Sequence, residues 1–527
     1  LGRVYNYVTP GEMYSDYYGG NSIRVLTVIV AFLFSVPYLG IQLRASGALF
    51  NVLTDGLIST NLGMILLTSV VVIYVASGGL RSVAYVDCAQ AVLLAVGIII
   101  LGIITIKWIG GWELFTDGIG VLVKNDLMTG NRLTLEGFSN RVAMPGSIQL
   151  VSSGGNAVGG VWTGMMCMTY MFALMGIQSS PAFSMWAYAN KTSEPFRWQQ
   201  VVASSIVIGI ILFTFTIIQG MGADVLVLNG IFDTISDSTL VPKLINLMSE
   251  SAPWLVGLLA VCALAAMQST GSAYMSTFSA MITRDIYKNY FDENVTEERQ
   301  KFIGRLFVVV VAVAALFVAI ISTDALVMLG GLAVAYGFQM YPALFGNLYS
   351  KWVSKSGITM GLIAGLLAVT FTDKMSTMFS LPWGAYPLTI HSAGWGIFFN
   401  ILFTILGTYF FPDSKQKNKE KEKRHAFLSE VAGVPKSKKK LIPLAYILVL
   451  IWFLFGFGPF AVIGNSLFSD PSTPSTWAPF SLPSIWVWQL LFLFFGIFVM
   501  WFLAFYMGFS QPISSRKIEK TFKKHFN

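Results

Sequence analysis

The sequence predicts an all-α polytopic membrane protein that crosses the bilayer about twelve times. Three observations carry this prediction. Of the 527 residues, 55% are hydrophobic and only 11% charged, with a mean hydropathy of +0.67, whereas soluble domains carry about 25% charge. Apolar runs of roughly 20 residues, enough to cross about 30 Å of hydrocarbon, recur along the whole chain. The basic residues are also sorted to one side of those runs, as cytoplasmic loops require.

In order, the runs fall near 23–50, 57–78, 84–108, 155–178, 199–221, 253–282, 301–322, 325–349, 355–373, 392–411, 441–464 and 483–508. With the start of the chain inside, six basic residues fall outside: Lys107, Lys124, Arg132, Arg141, Lys243 and Lys374. Arg44 lies within a span, and every other Lys and Arg falls on the inner side. One missed or invented helix in the middle would scramble this asymmetry, so the C-terminal end is expected to be cytoplasmic.

The net charge of +8 resides in loops bordering the leaflet where anionic lipid lies, which predicts a solvated rim and no nucleic-acid partner. Cys88, Cys167 and Cys262, with the scattered His391, His425 and His525, assemble into no disulfide framework, zinc site or nucleophile pair. No enzyme chemistry is therefore expected. The chain opens at Leu1 with a polar, turn-like stretch and no signal peptide, so either processing or a start partway into the protein is expected.

Composition divides the chain into a core at 1–412, a charged cytoplasmic linker at 413–440 and a transmembrane hairpin with a basic tail at 441–527. The linker, DSKQKNKEKEKRHAFLSEVAGVPKSKKK, shows no apolar periodicity over most of its length. The hairpin is very aromatic, has Trp near both membrane boundaries and carries no intramembrane charge, which suits packing or assembly. The outer stretch 110–150 is either a short amphipathic lid or simply a long loop.

Chemistry concentrates where polar residues enter spans. The sixth contains AAMQSTGSAYMSTFSA, residues 265–280. At 100° per residue, Ala266, Ser269, Thr270, Ala273, Ser276, Thr277 and Ala280 form one stripe. A seam of small residues lets another backbone approach closely, and on geometry alone that reading outweighs an ion site. Hydroxyls beside a carbonyl can nevertheless replace the water shell of an alkali cation, and both readings can hold together. Ser272, about 160° from Thr270, lies off the stripe and is expected to be neutral to substitution.

Asp87, in YVDCAQAVLL, is either a charge favoured by a helix N-terminus or part of a cation relay. Tyr38 follows Pro37 within a span, where proline frees a carbonyl and marks a bend, and Gln42 lies one turn further on the same face. Arg44 points off that face and suits snorkelling to the interface. The stretch MGIQSSPAFSMW, residues 175–186, has the composition of a broken membrane helix.

Four stretches together resemble the sodium/solute symporter family, which includes bacterial sodium/proline and sodium/glucose symporters. They are VTPGEMYSDYYGGNSIRVL, VASGGLRSVAYVDCAQAVLL, GIQSSPAF and AAMQSTGSAYMSTFSAMITRDIYKNYF, in the family's order, and the resemblance covers roughly residues 5–410. It implies a five-plus-five inverted-repeat fold with alternating access. It also implies Na+ as the coupling ion, bound between the first helix of repeat one and the third helix of repeat two.

On these motifs the carbonyl of Ala266 and the side chains of Ser269 and Thr270 match sodium ligands, which moves the stripe from mainly packing to mainly ion site. Asp87 matches an acid on the sodium release path, and Tyr38 a substrate-cavity tyrosine. Met171, Leu174 and Met175 stand where sugar transporters present Asn and aromatic groups, and Val334 replaces a sugar-binding Gln. With Gln42 and Gln178 they complete the expected solute contacts. Ala273 replaces a hydroxyl of two-sodium members, favouring one sodium per cycle. The GQPH-like motif is altered to GIQSSP. The resemblance further implies that the first repeat-one helices lie upstream of Leu1, and that the terminal hairpin is similar in outline to small two-helix subunits of some symporters.

The expected function is therefore sodium-coupled symport of a small organic solute, a short carboxylate or amino acid, across a bacterial-type inner membrane. The expected partners are the solute, the sodium ion and the lipid bilayer, with a homo-oligomer compatible with the hairpin. A transporter-like sensor or an assembly protein without transport is the alternative, and a channel would not need a broken-helix site.

Overall fold

The computed structural model describes residues 1–134, 136–145, 162–190, 192, 194–322, 326–373, 380–509 and 513–526, apart from the side chains of Arg3, Leu80 and Arg81. Residues 155–161 of the fourth expected span, residues 146–150 of the outer stretch, and Lys191 and Lys374 of the charge pattern lie outside the described residues.

Eleven helices among the described residues are long and apolar enough to cross a membrane. The chain is an integral, multi-pass membrane protein. A short helix α1 (Pro10–Tyr18) precedes α2 (Asn21–Leu53), α3 (Thr60–Gly79) and α4 (Ser82–Ile109). The outer helix α5 (Trp112–Thr129) leads to α6 (Gly164–Ser179) and α7 (Pro181–Ala189). Then come α8 (Glu194–Leu228), α9 (Pro253–Tyr290), α10 (Glu297–Ile321), α11 (Leu326–Tyr349), α12 (Lys355–Thr372) and α13 (Ser392–Phe410). The chain continues with α14 (Lys415–Ala432), α15 (Lys436–Gly456), α16 (Ser484–Tyr506) and α17 (Ser515–Phe526).

The element at the fourth expected span is α6, whose 16 described residues follow the undescribed stretch. Between α3 and α4 the chain breaks at Gly79, where φ is +66°, a left-handed conformation that glycine adopts without a Cβ clash.

Helix α2 runs through the middle of the core and packs against α3, α9, α10 and α11. Its Val30, Phe34, Leu39 and Leu43 are almost wholly buried, spaced at four or five residues along one helical seam. Helix α9 packs along α4, which sets Ser272 and Gln268 facing Asp87 and Gln90. At the far end α5 lays Phe115, Ile119 and Val123, spaced four apart, into a separate apolar cluster with Val225 and Leu226. The outer stretch thus carries an amphipathic helix. Trp477 of the hairpin's outer loop joins the same cluster, and the indole of Trp112 donates to the carbonyl of Phe480 at 3.0 Å.

The stretch 413–440, expected to be a linker without periodicity, instead contains the docked helix α14. Lys421, only 1% exposed, donates to the carbonyl of Val353 and to the Asp413 carboxylate, both at 2.6 Å, and lies 4.9 Å from the rings of Tyr17 and Tyr18. Two buried cations and Phe427 form the docking face, which an apolar pattern search passes over because Lys and Arg occupy core positions. Helix α17 closes over it: Phe522 and Phe526 pack edge-on against Phe427, and Lys524 pairs with Glu430 at 2.9 Å.

His425 of α14 sits 2.7 Å from the hydroxyl of Tyr17. Burial, then the charges of Arg424, Lys421 and Lys351, hold its pKa below the usual value of 6.5. The docked helix therefore keeps His425 neutral while the released helix protonates near 6.5. Docking is fully favoured above that pH and weakens as the pH falls through it. Limited trypsin digestion of the full chain should cut 413–440 faster below about pH 6.5, after correction for enzyme activity, and the acceleration should vanish in His425→Gln.

Candidate functional site

Four of the expected site residues line one cavity of about 670 Å³: Tyr38 from α2, Asp87 from α4, and Ser269 and Thr270 from α9. Two hydroxyls converge on the carbonyl of Ala266. The hydroxyl of Ser269 donates to it at 3.1 Å and that of Thr270 at 3.3 Å. Each hydroxyl spends its single proton there and keeps its lone pairs for another contact. The stripe residue Ala273 lines the same cavity. Further along α9, Ser276 and Ala280 line a second cavity of about 550 Å³, between the ends of α3, α9 and α10.

Asp87 faces α9 directly. Its carboxylate lies 3.1 Å from the hydroxyl of Ser272, whose single proton it shares with the Ser269 carbonyl at 2.8 Å. This corrects the reading of Ser272 as a neutral off-stripe position. The stripe argument considered one face of α9, but the helix is packed on two, and Ser272 is fully buried against α4. Ser272→Ala should leave a half-buried carboxylate without that donor, at a cost of about 1–3 kcal/mol. A lowered melting temperature and altered sodium-dependent uptake are expected together, and a variant identical to the parent in both would show the bond to be idle.

Beside Asp87, Gln90 donates to the side chain of Gln268 at 2.9 Å, and Tyr74 donates to the Gln268 carbonyl at 3.3 Å. These polar ties join α3 and α4 to α9. Sequence reasoning also missed the aromatic wall. Tyr38 lies 5.1 Å from Tyr274 and 5.3 Å from Phe34, and Tyr274 lies 5.8 Å from Trp186. Tyr274 and Trp186 sit within quoted stretches, but their direction depends on helix crossings that a single sequence does not display.

The other expected solute contacts do not line this cavity. Gln42 is half-buried on α2, one turn beyond Tyr38. Met171, Leu174 and Gln178 are exposed on one face of α6, spaced at three and four residues, while the opposite face, with Ala173 and Gly176, packs on α11. Met175 is half-buried against the main core, and Val334 is 2% exposed inside it. The expected helix break is present: α6 stops at Ser179, and Ser180 caps α7, accepting from the amide of Phe183 at 3.4 Å. The extended backbone of Ser180 satisfies the conformational demand of Pro181.

Among the described residues no group of three or more His, Cys, Asp or Glu could hold a metal ion. A neutral cage of hydroxyls and a carbonyl is suited instead to a weakly held alkali cation.

Residues 3–365 match the model of the sodium:solute symporter family. The chain is 21% identical over 399 residues to the symporter YhjB of Bacillus subtilis, covering 75% of this chain and 74% of that protein. It is 23% identical over 355 residues to a sodium/proline symporter of Staphylococcus aureus, covering 66% of this chain and 62% of the relative. A sodium/proline symporter of Haemophilus influenzae is 32% identical over a shorter stretch of 118 residues, 22% of this chain and 23% of its own. In fold, the chain is similar to a Na+-coupled sialic acid symporter solved in a substrate-bound outward-open state. The TM-score is 0.59 at 16% identity, covering 79% of this chain and 80% of that one.

Proposed function

We propose, from the premise that the chain belongs to the sodium:solute symporter family, that it imports a small organic solute driven by the sodium gradient. The observation that carries this reading is the convergence of the Ser269 and Thr270 hydroxyls on the Ala266 carbonyl, at the edge of the cavity that also holds Asp87 and Tyr38. Sodium is held by those three oxygens. Asp87, on the cavity wall, draws the departing ion toward the side bearing the basic loops, which is cytoplasmic together with the C-terminal end.

The solute is a short carboxylate or an amino acid. The likeness to sodium/proline symporters supports this class, as does a wall of Tyr38, Tyr274 and Trp186 that offers apolar area with few polar groups. On this reading Tyr38 touches the solute from α2, with Gln42 a turn away. Met171, Leu174, Met175 and Gln178 act from a helix whose position relative to the cavity changes as access alternates.

The test is uptake into proteoliposomes of labelled acetate, pyruvate, lactate, proline and a hexose, with an inward sodium gradient against a potassium gradient. Sodium-stimulated accumulation of at least one carboxylate or amino acid is expected. Accumulation of every solute at equal rates in both gradients would overturn the coupling, and a sodium response for the hexose alone would overturn the solute class.

A further inference from the structure

The end of α9 on the basic-loop face carries a contact that the transport reading leaves unused. Asp285 is fully buried there, and both α1 and α2 reach its carboxylate. From α1, the N-cap hydroxyl of Thr9 donates to Oδ1 at 2.9 Å. Gly11 lies against the same group, so that a Cβ at position 11 would stand 2.7 Å from Oδ2. Glu12 divides its two oxygens: one accepts from the amides of Val8 and Thr9 at 2.8 and 3.3 Å, the other from Nε and Nη2 of Arg284 at 3.0 and 2.9 Å. From α2, Nε of Arg24 comes only to 3.9 Å from Oδ1, too far for a hydrogen bond. That Nε and Oδ2 of Asp285 are both buried and have no hydrogen-bond partner among the described residues. A buried donor and a buried acceptor left unpaired on neighbouring, oppositely charged groups are costly, and each is what the other lacks.

Helix α1 is built to tilt. It joins α2 through Gly19 and Gly20, with φ of +83° and +84°, and a glycine pair absorbs large backbone changes at little steric cost. Beside that pair the hydroxyls of Tyr17 and Tyr18 donate to the carbonyls of Gly346 and Ala343 of α11, at 3.1 and 2.7 Å. One end of α1 is thus pinned next to a hinge, while Thr9, Gly11 and Glu12 at the other end rest on Asp285 and Arg284. Arg284 also lines the cavity of about 550 Å³ that holds Ser276 and Ala280, so the seat of α1 sets one wall of that cavity.

We propose that α1 is a strap across the end of α9 and that Asp285 is a positioning residue which exchanges partners when the strap lifts. Seated, Asp285 holds Thr9 and Arg284 holds Glu12. Lifted about Gly19 and Gly20, α1 releases the carboxylate to Arg24, which satisfies both orphaned atoms and ties α9 to α2 instead. The wall of the cavity opens with it. This rests on the symport reading, in which α9 carries Ser269 and Thr270, and it supplies the step that opens the basic-loop side.

The experiment places spin labels at the exposed Val8 and Lys301 of the full chain in lipid nanodiscs, its own three cysteines replaced by serine, and reads the distance between them. The parent should show mainly one short distance. Gly11→Ala, which unseats the strap, should add a longer one. Adding Arg24→Gln to Gly11→Ala should shrink the longer population about tenfold or more, and adding Arg24→Lys should largely retain it. In proteoliposomes Arg24→Gln alone should lower maximal uptake about tenfold with the half-maximal sodium concentration unchanged, and Arg24→Lys should recover most of it. A longer population of equal size with and without Arg24→Gln would overturn the exchange. Gly11→Ala keeps every charged group, so it decides alone should Arg24→Gln fail to fold: a distance unchanged from the parent would refute the strap. Distances that behave as expected in a parent without sodium-driven uptake would support the exchange and overturn the symport.

Discussion

Replacing Ser269 or Thr270 with alanine is expected to raise the sodium concentration for half-maximal uptake roughly five- to hundredfold. Removing one neutral oxygen ligand from such a site costs about 1–3 kcal/mol, and each 1.4 kcal/mol is about tenfold in a binding constant. The two hydroxyls share the Ala266 carbonyl, so deleting either also changes how that oxygen is polarised, and the double variant should fall short of the product of the singles. Thr277→Ala is the control. Thr277 makes the equivalent backbone bond about two turns further on, to Ala273 at 2.8 Å, but does not line the cavity. If the stripe served packing alone, all three variants would keep the parental sodium curve at matched abundance, and that result would reject the ion site.

The second large effect is structural. A methyl group on Gly176 would stand 2.7 Å from the amide nitrogen of Phe338 and nearer still to the carbonyl oxygen of Val334. These are backbone atoms of α11 and cannot turn aside as a side chain can. Gly176→Ala should therefore push α6 from α11 at a cost at or above the roughly 1–3 kcal/mol typical of overpacking. The helix break at Ser180 would be displaced with it. A sharp fall in melting temperature and in the fraction recovered as a monodisperse species after extraction is expected. Gly257→Ala, where nothing lies within 4 Å of the added methyl, should match the parent. Equal stability of the two variants would show that α6 and α11 are not in close backbone contact.

The spans were legible because lipid imposes a length and a composition that few other environments demand. Part of the site was legible for a related reason. Hydroxyls at 269 and 270, an acid at 87 and a tyrosine after Pro37 stand out against apolar surroundings, and these four share one cavity. Ser272 was misread because one helical face was treated as the whole of α9. The direction of Met171, Leu174 and Gln178 was not legible either, since α6 has apolar residues all round and the glycine and alanine on one side choose the packed face. Helix α14 escaped because two of its four buried positions are Lys421 and Arg424, residues that pattern reading assigns to solvent.

That helix bears on how the protein is made. The buried face of α14 is completed partly by α17, and between the two in the chain lie α15 and α16, both of which must enter the membrane. While the ribosome produces that hairpin, Phe427 and the ring of Tyr5 wait without the Phe522 and Phe526 rings that cover them. An aromatic surface in that state is a ready substrate for a chaperone or a membrane protease. Nascent chains halted after α16 should be degraded faster than chains extended through Phe526, because α17 supplies the rings that cover the aromatic face of α14.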